Sequence, residues 1–497
     1  MAKKKDSISR IEKQLRGEFP LPKTNGNRTR AMNDIEDIIK ELMRNNQRQL
    51  PTESELMTKL PYGRHTIREA VKAFVSMGVL EKIQGKGTFI VNSKNTVEFS
   101  GWIGTEPPGD TILSTIISMF QKKNDRFAVQ YLPIPYYQNI EHLMRMALEG
   151  GMPDVMQLGP HFGSILNDFD VLLPLDQYMN HITMRRRYPV DVETGRIGKN
   201  LYAVTWALSP FVLYYNKKVL KRCGMDPEKP PATLDELADM CRYINSSGKP
   251  NTWGMSLPLS VNDPVFIWLY PYFLSFKGGF SDSLRNIIIS SDENVAAISW
   301  LKELYQTGCV PGVKDVTEGR MLFASDHIAF WVDGPFLRGL FRQISGFREE
   351  FDEHYSVTPI PKGPSGRSES ILFNHQLAIS KQCRNIEAAC AWIEFLTTDE
   401  EAARYYFTAS GCLPPMLDIL NKPFFADDPF ASNCLKQMET VSAMPQGHPL
   451  FIKSVSYISQ IISRLILNPK SDVHEFKKMR DIINMIAHSA YLGIYSH

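Results

Sequence analysis

The pattern of apolar and polar positions divides the chain into a short helical region and a long alternating region. Between residues 30 and 77 apolar side chains recur every three or four positions, which predicts amphipathic helices. The clearest stripe, in the segment 64–77, consists of Ile67, Ala70, Val71, Phe74 and Val75. Two strand-like runs follow, 79–83 and 88–91, joined by a turn with two glycines, which is typical of a β-hairpin. We therefore predict a small domain of helices and one hairpin.

From residue 97 onward, strand-like and helix-like runs alternate, which indicates an α/β architecture. Helices are predicted at 111–122 and 137–148. Strands are predicted at 127–134 and 153–157. Two later strand-like segments, 198–204 and 212–216, are close together in the sequence and predict a pair of neighbouring strands. The chain is thus predicted to contain a basic flexible arm at 1–28, the helix-and-hairpin domain at 29–91, a polar linker at 92–96 and a large α/β domain at 97–497.

Charge follows the same division of the chain. Residues 1–95 contain 19 Lys and Arg against 11 Asp and Glu, or +8, and the remaining residues contain 37 against 43, or −6. A positive charge confined to one small domain is typical of a surface that binds nucleic-acid phosphates. We therefore expect the first domain, and not the second, to meet DNA.

Several classes of protein are disfavoured by the sequence. The seven cysteines lack the spacing of a disulfide scaffold, the N-terminus is too polar for a secretory signal, and no run of about 18 apolar residues predicts a membrane span. No phosphate-binding, dinucleotide-binding, zinc-protease or nucleophile-elbow motif is present. The acidic run 399–401 is best interpreted as a solvated helix start. We expect a cytoplasmic protein that is not an enzyme and uses no cofactor, no metal and no membrane.

The helix at 64–77 leaves polar side chains exposed at its N-terminal end. Arg64, His65, Thr66 and Arg68 lie outside the apolar stripe, and Lys86 lies at the tip of the predicted hairpin. The N-terminal end of a recognition helix enters the major groove of DNA, where Arg can bond to guanine and Thr can reach a base edge or a phosphate. These positions are candidate DNA contacts.

Three sequence motifs in this domain resemble the winged helix-turn-helix of the GntR family of transcription regulators. They are Leu-Pro-Thr-Glu-Ser-Glu-Leu at 50–56, Gly-Arg-His-Thr-Ile-Arg-Glu-Ala at 63–70 and Gly-Lys-Gly-Thr-Phe-Ile at 85–90. The resemblance implies that Arg64, Thr66, Arg68 and Gly85 contact operator DNA. The full set of candidates is Arg64, His65, Thr66, Arg68, Ser54, Gly85 and Lys86. Ser54 replaces an Arg that is common in the family, and 61–63 departs from the usual turn, so base preference and helix angle are expected to differ.

The large domain resembles the extracellular solute-binding proteins of bacterial uptake systems, in particular the carbohydrate-binding group similar to maltose-binding protein. The landmarks include Pro-Asp-Val at 153–155, Leu-Pro-Leu-Asp at 173–176, Leu-Tyr-Tyr-Asn-Lys at 213–217, Gly-Gly at 278–279 and Gly-Cys-Leu-Pro at 411–414. Their order over most of the domain carries the resemblance. It implies a two-lobed periplasmic-binding-protein-like (type II) fold that closes on a ligand.

Sugar sites combine aromatic platforms with carboxylates and amides, because sugars present both apolar faces and hydroxyl groups. The candidates near the landmark strands are Trp206, Trp331, Asp333, Trp253, Gln157, His161 and Asn374. For each tryptophan the alternative is packing inside a lobe.

The favoured interpretation is a bacterial transcription regulator that binds double-stranded operator DNA as a homodimer and is controlled by a mono- or oligosaccharide. One alternative keeps the DNA-binding domain but joins it to a smaller sensor of the lactose-repressor type, for which about 400 residues are too many. A second joins it to an aminotransferase-like domain with a lysine-bound pyridoxal cofactor, for which no residue set can be placed. A third is a cytoplasmic sugar-binding protein with a vestigial DNA-binding domain.

Overall fold

The computed structural model describes the chain except for residues 1–26, 45–48, 78, 84, 91–95, 104–108, 160–161, 180, 261–264, 283–285, 345–350, 446–447 and 495–497. Most of the predicted arm at 1–28, most of the linker at 92–96, and His161 therefore lie outside the described residues. The described chain forms two compact units. The first unit contains the described residues up to Gln157 together with Ile379–Trp392, and the second contains Leu158–Ala378 and the described residues from Ile393 onward.

The N-terminal domain, here called the head, is a three-helix domain with a hairpin. Its elements are α1 (Asn27–Arg44), α2 (Glu53–Lys59), α3 (Arg64–Ser76), β1 (Leu80–Ile83) and β2 (Gly87–Ile90). The strands pair antiparallel with Leu80 opposite Ile90. The predicted stripe of α3 is confirmed, because Ile67, Ala70, Val71 and Phe74 are buried in one core with Ile35, Ile39 and Leu56. Burial of this stripe fixes which face of α3 remains exposed.

Local signals fix the start of α2 and the turn of the hairpin. Thr52 accepts a hydrogen bond from the backbone N–H of Glu55 at 3.3 Å, and the Glu55 carboxylate accepts one from the N–H of Thr52 at 2.7 Å. This capping box satisfies two amides that the helix itself leaves unbonded. Gly85 and Gly87 have φ values of +76° and +118°, which residues other than glycine rarely adopt.

Beyond the head, the first unit contains parallel strands covered by helices. The elements that begin in it are β3 (Thr96–Gly101), α4 (Gly109–Lys123), β4 (Ala128–Pro133), α5 (Tyr136–Glu149), β5 (Val155–Leu158) and α16 (Ile386–Thr398). Strand β3 lies between β4 and β5 and runs parallel to both. Trp392 packs edge-on against Phe99 of β3 and Phe120 of α4, with ring centroids 5.7 and 5.1 Å apart. Because these strands are parallel, their carboxyl ends lie at the same end of the sheet.

The second unit contains most of the remaining elements. They are α6 (Phe162–Asp168), α7 (His181–Arg185), α8 (Pro189–Thr194), β6 (Arg196–Ile197), β7 (Asn200–Leu201), β8 (Ala203–Ala207), β9 (Val212–Asn216), α9 (Lys217–Arg222), α10 (Leu234–Ser246), β10 (Trp253–Met255), α11 (Val265–Ser275), α12 (Asp292–Gly308), α13 (Val316–Ala324), β11 (Ile328–Asp333), α14 (Leu337–Ile344) and α15 (Phe351–His354). The later ones are β12 (Tyr355–Thr358), β13 (Ser370–Ile371), β14 (His375–Ile379), α17 (Glu400–Ser410), α18 (Leu417–Leu420), α19 (Pro423–Ala426), α20 (Pro429–Met438), β15 (Val441–Ser442), α21 (Pro449–Leu467), a 3-10 helix (Val473–Lys478) and α22 (Met479–Ile494).

The predicted pairing of 198–204 with 212–216 is wrong. Strand β9 lies between β11 and β12, in a sheet with the order β10-β11-β9-β12. Strand β8 instead pairs antiparallel with β14, whose residues come about 170 positions later. All five residues of each strand are buried. Strand β9 has a partner on each side, whereas β8 is the last strand of its sheet, and in both cases the partners come from distant segments of the chain.

Among the described helices, α21 contains one segment, Leu450–Leu467, that is long and apolar enough to cross a membrane by length and composition. The helix also packs within the second unit, where the Ser459 hydroxyl accepts a hydrogen bond from the N–H of Phe266 at 3.1 Å. Core helices of folded domains meet the same criterion. The expectation of no membrane partner therefore remains a prediction.

Candidate DNA-binding surface and ligand site

The N-terminal end of α3 presents the predicted DNA contacts. Arg64, His65 and Arg68 are exposed, whereas Thr66 is half-buried. Arg68 is held in place by Glu53, which accepts hydrogen bonds from its Nε at 3.2 Å and its Nη2 at 2.9 Å. Hydrogen bonding to Arg68 lowers the pKa of Glu53, so this carboxylate is charged at neutral pH. Arg64 is thus the more accessible cation for a DNA base, and Arg68 has a fixed orientation.

The hairpin of β1 and β2, here called the wing, lies beside the carboxylate of Glu53. The ammonium of Lys82, on β1, is 3.7 Å from Oε1 of Glu53, which connects the wing to α2 and α3. At the turn, the carbonyl of Lys86 accepts a hydrogen bond from the side-chain amide of Gln49 at 3.2 Å, while its own side chain is exposed. Ser54 is also exposed. The head therefore presents all its predicted polar contacts except Thr66 at the surface, and their contact with DNA remains a prediction.

In the first unit, Gln157 lies near the carboxyl ends of the parallel strands. Its side chain is fully buried, and its Oε1 accepts hydrogen bonds from the N–H groups of Trp102 at 3.2 Å and Ile103 at 3.4 Å. Its Nε2 has no hydrogen-bond partner within the described part of the chain. Ligands of α/β proteins bind at the carboxyl ends of the strands. A buried amide donor without a partner lowers the stability of the fold unless a ligand or water accepts a hydrogen bond from it.

Gly101 makes this arrangement of Gln157 possible. A Cβ at position 101 would lie 2.4 Å from the Gln157 Oε1, so only glycine leaves room for the amide. Trp102, the next residue, is half-buried and belongs to the same loop. Trp102 is an aromatic candidate that the sequence landmarks did not indicate.

The second unit brings together a cluster of aromatic side chains around Trp206, which is 3% exposed. The ring of Trp206 stacks on Tyr406 with centroids 4.7 Å apart and planes 18° apart. The Tyr406 hydroxyl is 3.2 Å from Nδ1 of His375, and the His375 ring stacks on Phe336 at 6.0 Å. Phe336 is half-buried, whereas the other three are buried. It is therefore the aromatic face of this cluster that is most accessible to a ligand.

Asp333 and Trp331 belong to β11, in the same unit. Asp333 is fully buried and accepts hydrogen bonds from Nε of Arg320 at 2.8 Å, from Nε1 of Trp331 at 2.9 Å and from the N–H of Gly334 at 2.9 Å. The Arg320 guanidinium in turn lies over the Phe336 ring at 5.4 Å. A sugar hydroxyl could bond to Asp333 only by replacing one of these donors. Asp333 thus positions Arg320, and Trp331, 1% exposed, packs inside the unit.

Asn374 belongs to a buried polar network. Its Nδ2 donates to Oδ1 of Asp191 at 3.0 Å and to the Thr205 hydroxyl at 3.1 Å, and its Oδ1 accepts from the N–H of Ser209 at 3.1 Å. With these bonds made, the amide holds β8 and β14 in register. Trp253 is half-buried on β10 opposite Ile328, and within the described residues no ring contact joins it to the cluster.

Sequence similarity places both parts of the chain in known families. Residues 115–432 match the family described as bacterial extracellular solute-binding protein, and residues 29–90 match the bacterial regulatory proteins of the gntR family. The chain belongs to the bacterial extracellular solute-binding protein family. It carries a GntR-family domain as its head.

Individual solute-binding proteins are also similar to this chain in sequence and structure. A probable ABC transporter-binding protein of Deinococcus radiodurans is 24% identical over 247 residues, which cover 48% of this chain and 57% of that protein. The chain thus spans little more than half the length of this relative. A solute-binding protein of Thermotoga lettingae, bound with α-D-tagatose, superposes with a TM-score of 0.70 at 19% identity, covering 79% of this chain and 98% of that one. The GacH receptor of Streptomyces glaucescens, also solved with acarbose, gives 0.68 at 19% identity, covering 79% and 99%. These similarities show the two-lobed fold of the family.

The buried imidazole of His375 makes stability depend on pH. Burial lowers the pKa of His375 from 6.5 to about 4, so the folded state holds the neutral ring while the unfolded state takes up a proton below pH 6.5. Stability is therefore lost as the pH falls from 6.5 to about 4, by up to roughly 3 kcal/mol from this residue. We expect His375→Phe to flatten the pH dependence of the unfolding free energy in that window. Parallel curves for the two proteins in denaturant titrations from pH 4 to 8 would contradict this assignment.

Proposed function

We propose that this protein is a cytoplasmic transcription regulator whose head binds operator DNA and whose solute-binding domain controls that binding through a small carbohydrate. The observation that carries the proposal is the fusion of a GntR-family domain, with Arg64 exposed at the start of α3, to a solute-binding domain in one chain. The separation of charge, about +8 before residue 96 and −6 after it, supports DNA contact by the head alone.

The chemistry of the second unit supports a carbohydrate as the ligand. The partly exposed ring of Phe336 with Arg320 above it combines an apolar platform with hydrogen-bond donors, which suits the mixed surface of a sugar. The names of the tagatose-bound and acarbose-bound relatives point to the same class of ligand. Mono- and oligosaccharides both remain within the proposal.

Regulation requires that the sugar bind two states of the protein with different affinity. The shift in operator affinity then equals the difference in sugar affinity between those states. We propose a homodimer, because GntR-type heads would read two half-sites whose spacing a sugar could change.

Two measurements on the full chain test this function. Selection from a random duplex library should recover a defined sequence, and a thermal-shift screen with maltose, acarbose and α-D-tagatose should find a stabilising sugar. The recovered duplex should then bind with a different Kd when the stabilising sugar is present. Recovery of no duplex would leave a sugar-binding protein with a vestigial head, and visible absorbance from a lysine-bound pyridoxal cofactor would replace the proposal by an enzyme.

A further inference from the structure

Among the described residues, a backbone hydrogen bond joins the head to the sheet of the first unit. The backbone N–H of Tyr131, on β4, donates to the carbonyl of Met77 at 3.1 Å. Met77 is the residue that caps the C-terminal end of α3, and its side chain packs against the head core. Strand β4 is at the edge of its sheet, so its outward N–H groups can bond to another element. The end of the DNA-reading helix is thereby fixed to a strand of the ligand-binding domain.

The side chain of the same tyrosine contacts the loop after β3. Its hydroxyl donates to the carbonyl of Gly101 at 2.6 Å and also contacts the carbonyl of Ile103. Burial raises the pKa of Tyr131, so the hydroxyl keeps its proton. The N–H groups of Trp102 and Ile103, in that same loop, donate to Oε1 of Gln157. Tyr131 thus contacts the end of α3 through its backbone and the loop held by Gln157 through its side chain.

We propose that Tyr131 is a positioning residue that couples the ligand-side loop at Gly101–Ile103 to the C-terminal end of α3. This inference rests on the proposed function and names the route of its regulation. The Gln157 Nε2 lacks a partner within the described residues. A ligand hydroxyl that accepts a hydrogen bond from Nε2 therefore adds a contact that holds this side-chain amide. Because Oε1 of that amide anchors the loop, the loop, Tyr131 and the Met77 carbonyl respond together.

Amide hydrogen exchange of the full chain, without sugar or DNA, tests the coupling directly. Gln157→Ala removes the acceptor for the loop amides, and Tyr131→Phe removes the hydroxyl but keeps the ring and the backbone N–H. We expect Gln157→Ala to speed exchange at the amide of position 131 and in 74–77 by about fivefold, the effect of one typical hydrogen bond. In the Tyr131→Phe background, Gln157→Ala should produce no further change at these amides.

A matched control separates coupling from a general loss of stability. The Tyr305 hydroxyl accepts a hydrogen bond from the N–H of Gly312 at 3.1 Å in the second unit, so Tyr305→Phe deletes a similar group elsewhere. It should leave exchange in 74–77 unchanged. The proposal is overturned if Gln157→Ala leaves the head amides unchanged, or if it affects them equally with and without the Tyr131 hydroxyl.

The duplex assay distinguishes this inference from the proposed function. If the wild-type chain binds a selected duplex and a sugar from the panel changes its Kd, Tyr131→Phe should retain duplex affinity and lose most of the sugar effect. A full sugar effect in this variant overturns the coupling and leaves the function standing. A wild-type chain that shows no sugar effect defeats the proposed regulation, whereas the exchange experiment still decides the coupling.

Discussion

Arg64→Ala is expected to weaken binding of the full chain to its selected duplex by about 1–3 kcal/mol, or roughly 5- to 150-fold in Kd. Arg64 is exposed at the first position of α3, and its side chain forms no hydrogen bond or ion pair within the described residues, although its charge helps to lower the pKa of Glu53. Its guanidinium is therefore available for two parallel hydrogen bonds to a guanine. Fluorescence anisotropy with the selected duplex, repeated with each base of the half-site changed, would measure the effect.

The same helix supplies a matched control. Lys72 is also exposed, on the C-terminal half of α3, where it pairs with Glu69 at 2.9 Å. Lys72→Ala removes the same unit of charge, and its affinity should stay close to that of the wild type. Loss of discrimination at one base pair in Arg64→Ala would assign base contact, whereas a uniform loss with a salt slope lower by about one would assign phosphate contact. Equal losses in both variants would refute the assigned role of the helix start.

Asp333→Asn should lower the unfolding free energy of the solute-binding domain by about 3 kcal/mol, because breaking a buried ion pair leaves an uncompensated charge. Asp333 is fully buried, and the side chain of its partner Arg320 is only 16% exposed. The amide also removes acceptor capacity from Trp331 and from the backbone of Gly334. A drop of several degrees in the melting temperature of the domain would report this loss. Binding of the stabilising sugar should weaken as well, since Arg320 would lose the group that holds it over Phe336.

An exposed pair provides the comparison for this substitution. Arg186 and Asp418 form an ion pair with side chains 50% and 45% exposed. Asp418→Asn makes the same chemical change in solvent, where such pairs contribute about 0–1 kcal/mol. If both variants melted at the wild-type temperature, Asp333 would not have the stabilising role described above. If Asp333→Asn were destabilised but bound sugar normally, Arg320 would not belong to the ligand site.

Most features of the head could be predicted from the sequence because they depend on neighbouring residues. The capping box at Thr52 involves positions three residues apart, and the stripe on α3 follows from helical periodicity. The two wing glycines adopt the positive φ angles that their turn requires. The ion pair between Arg68 and Glu53 was not predicted, since the two residues lie on different helices.

The candidate ligand site was harder to predict because its residues lie on different elements, some of them far apart in the sequence. Trp206 meets Tyr406, and the carboxylate of Asp333 meets Arg320 of the preceding helix. Trp331 and Asp333 are candidates by residue type, as a tryptophan and a short carboxylate, whereas Phe336, which directly follows Gly334 and Pro335, is not. Nothing in the local sequence shows that Asp333 already accepts several hydrogen bonds or that Phe336 is the more exposed ring.

By itself, the sequence determined which two families were joined, because short motifs and the order of landmarks survive in one dimension. It also determined which face of α3 is exposed, since the apolar stripe of this helix is buried in the core of the head. Only the tertiary structure decided which strands pair, which carboxylate is already bonded and that Tyr131 contacts both Met77 and Gly101. These depend on contacts between residues tens to hundreds of positions apart, and local periodicity carries no information about such contacts.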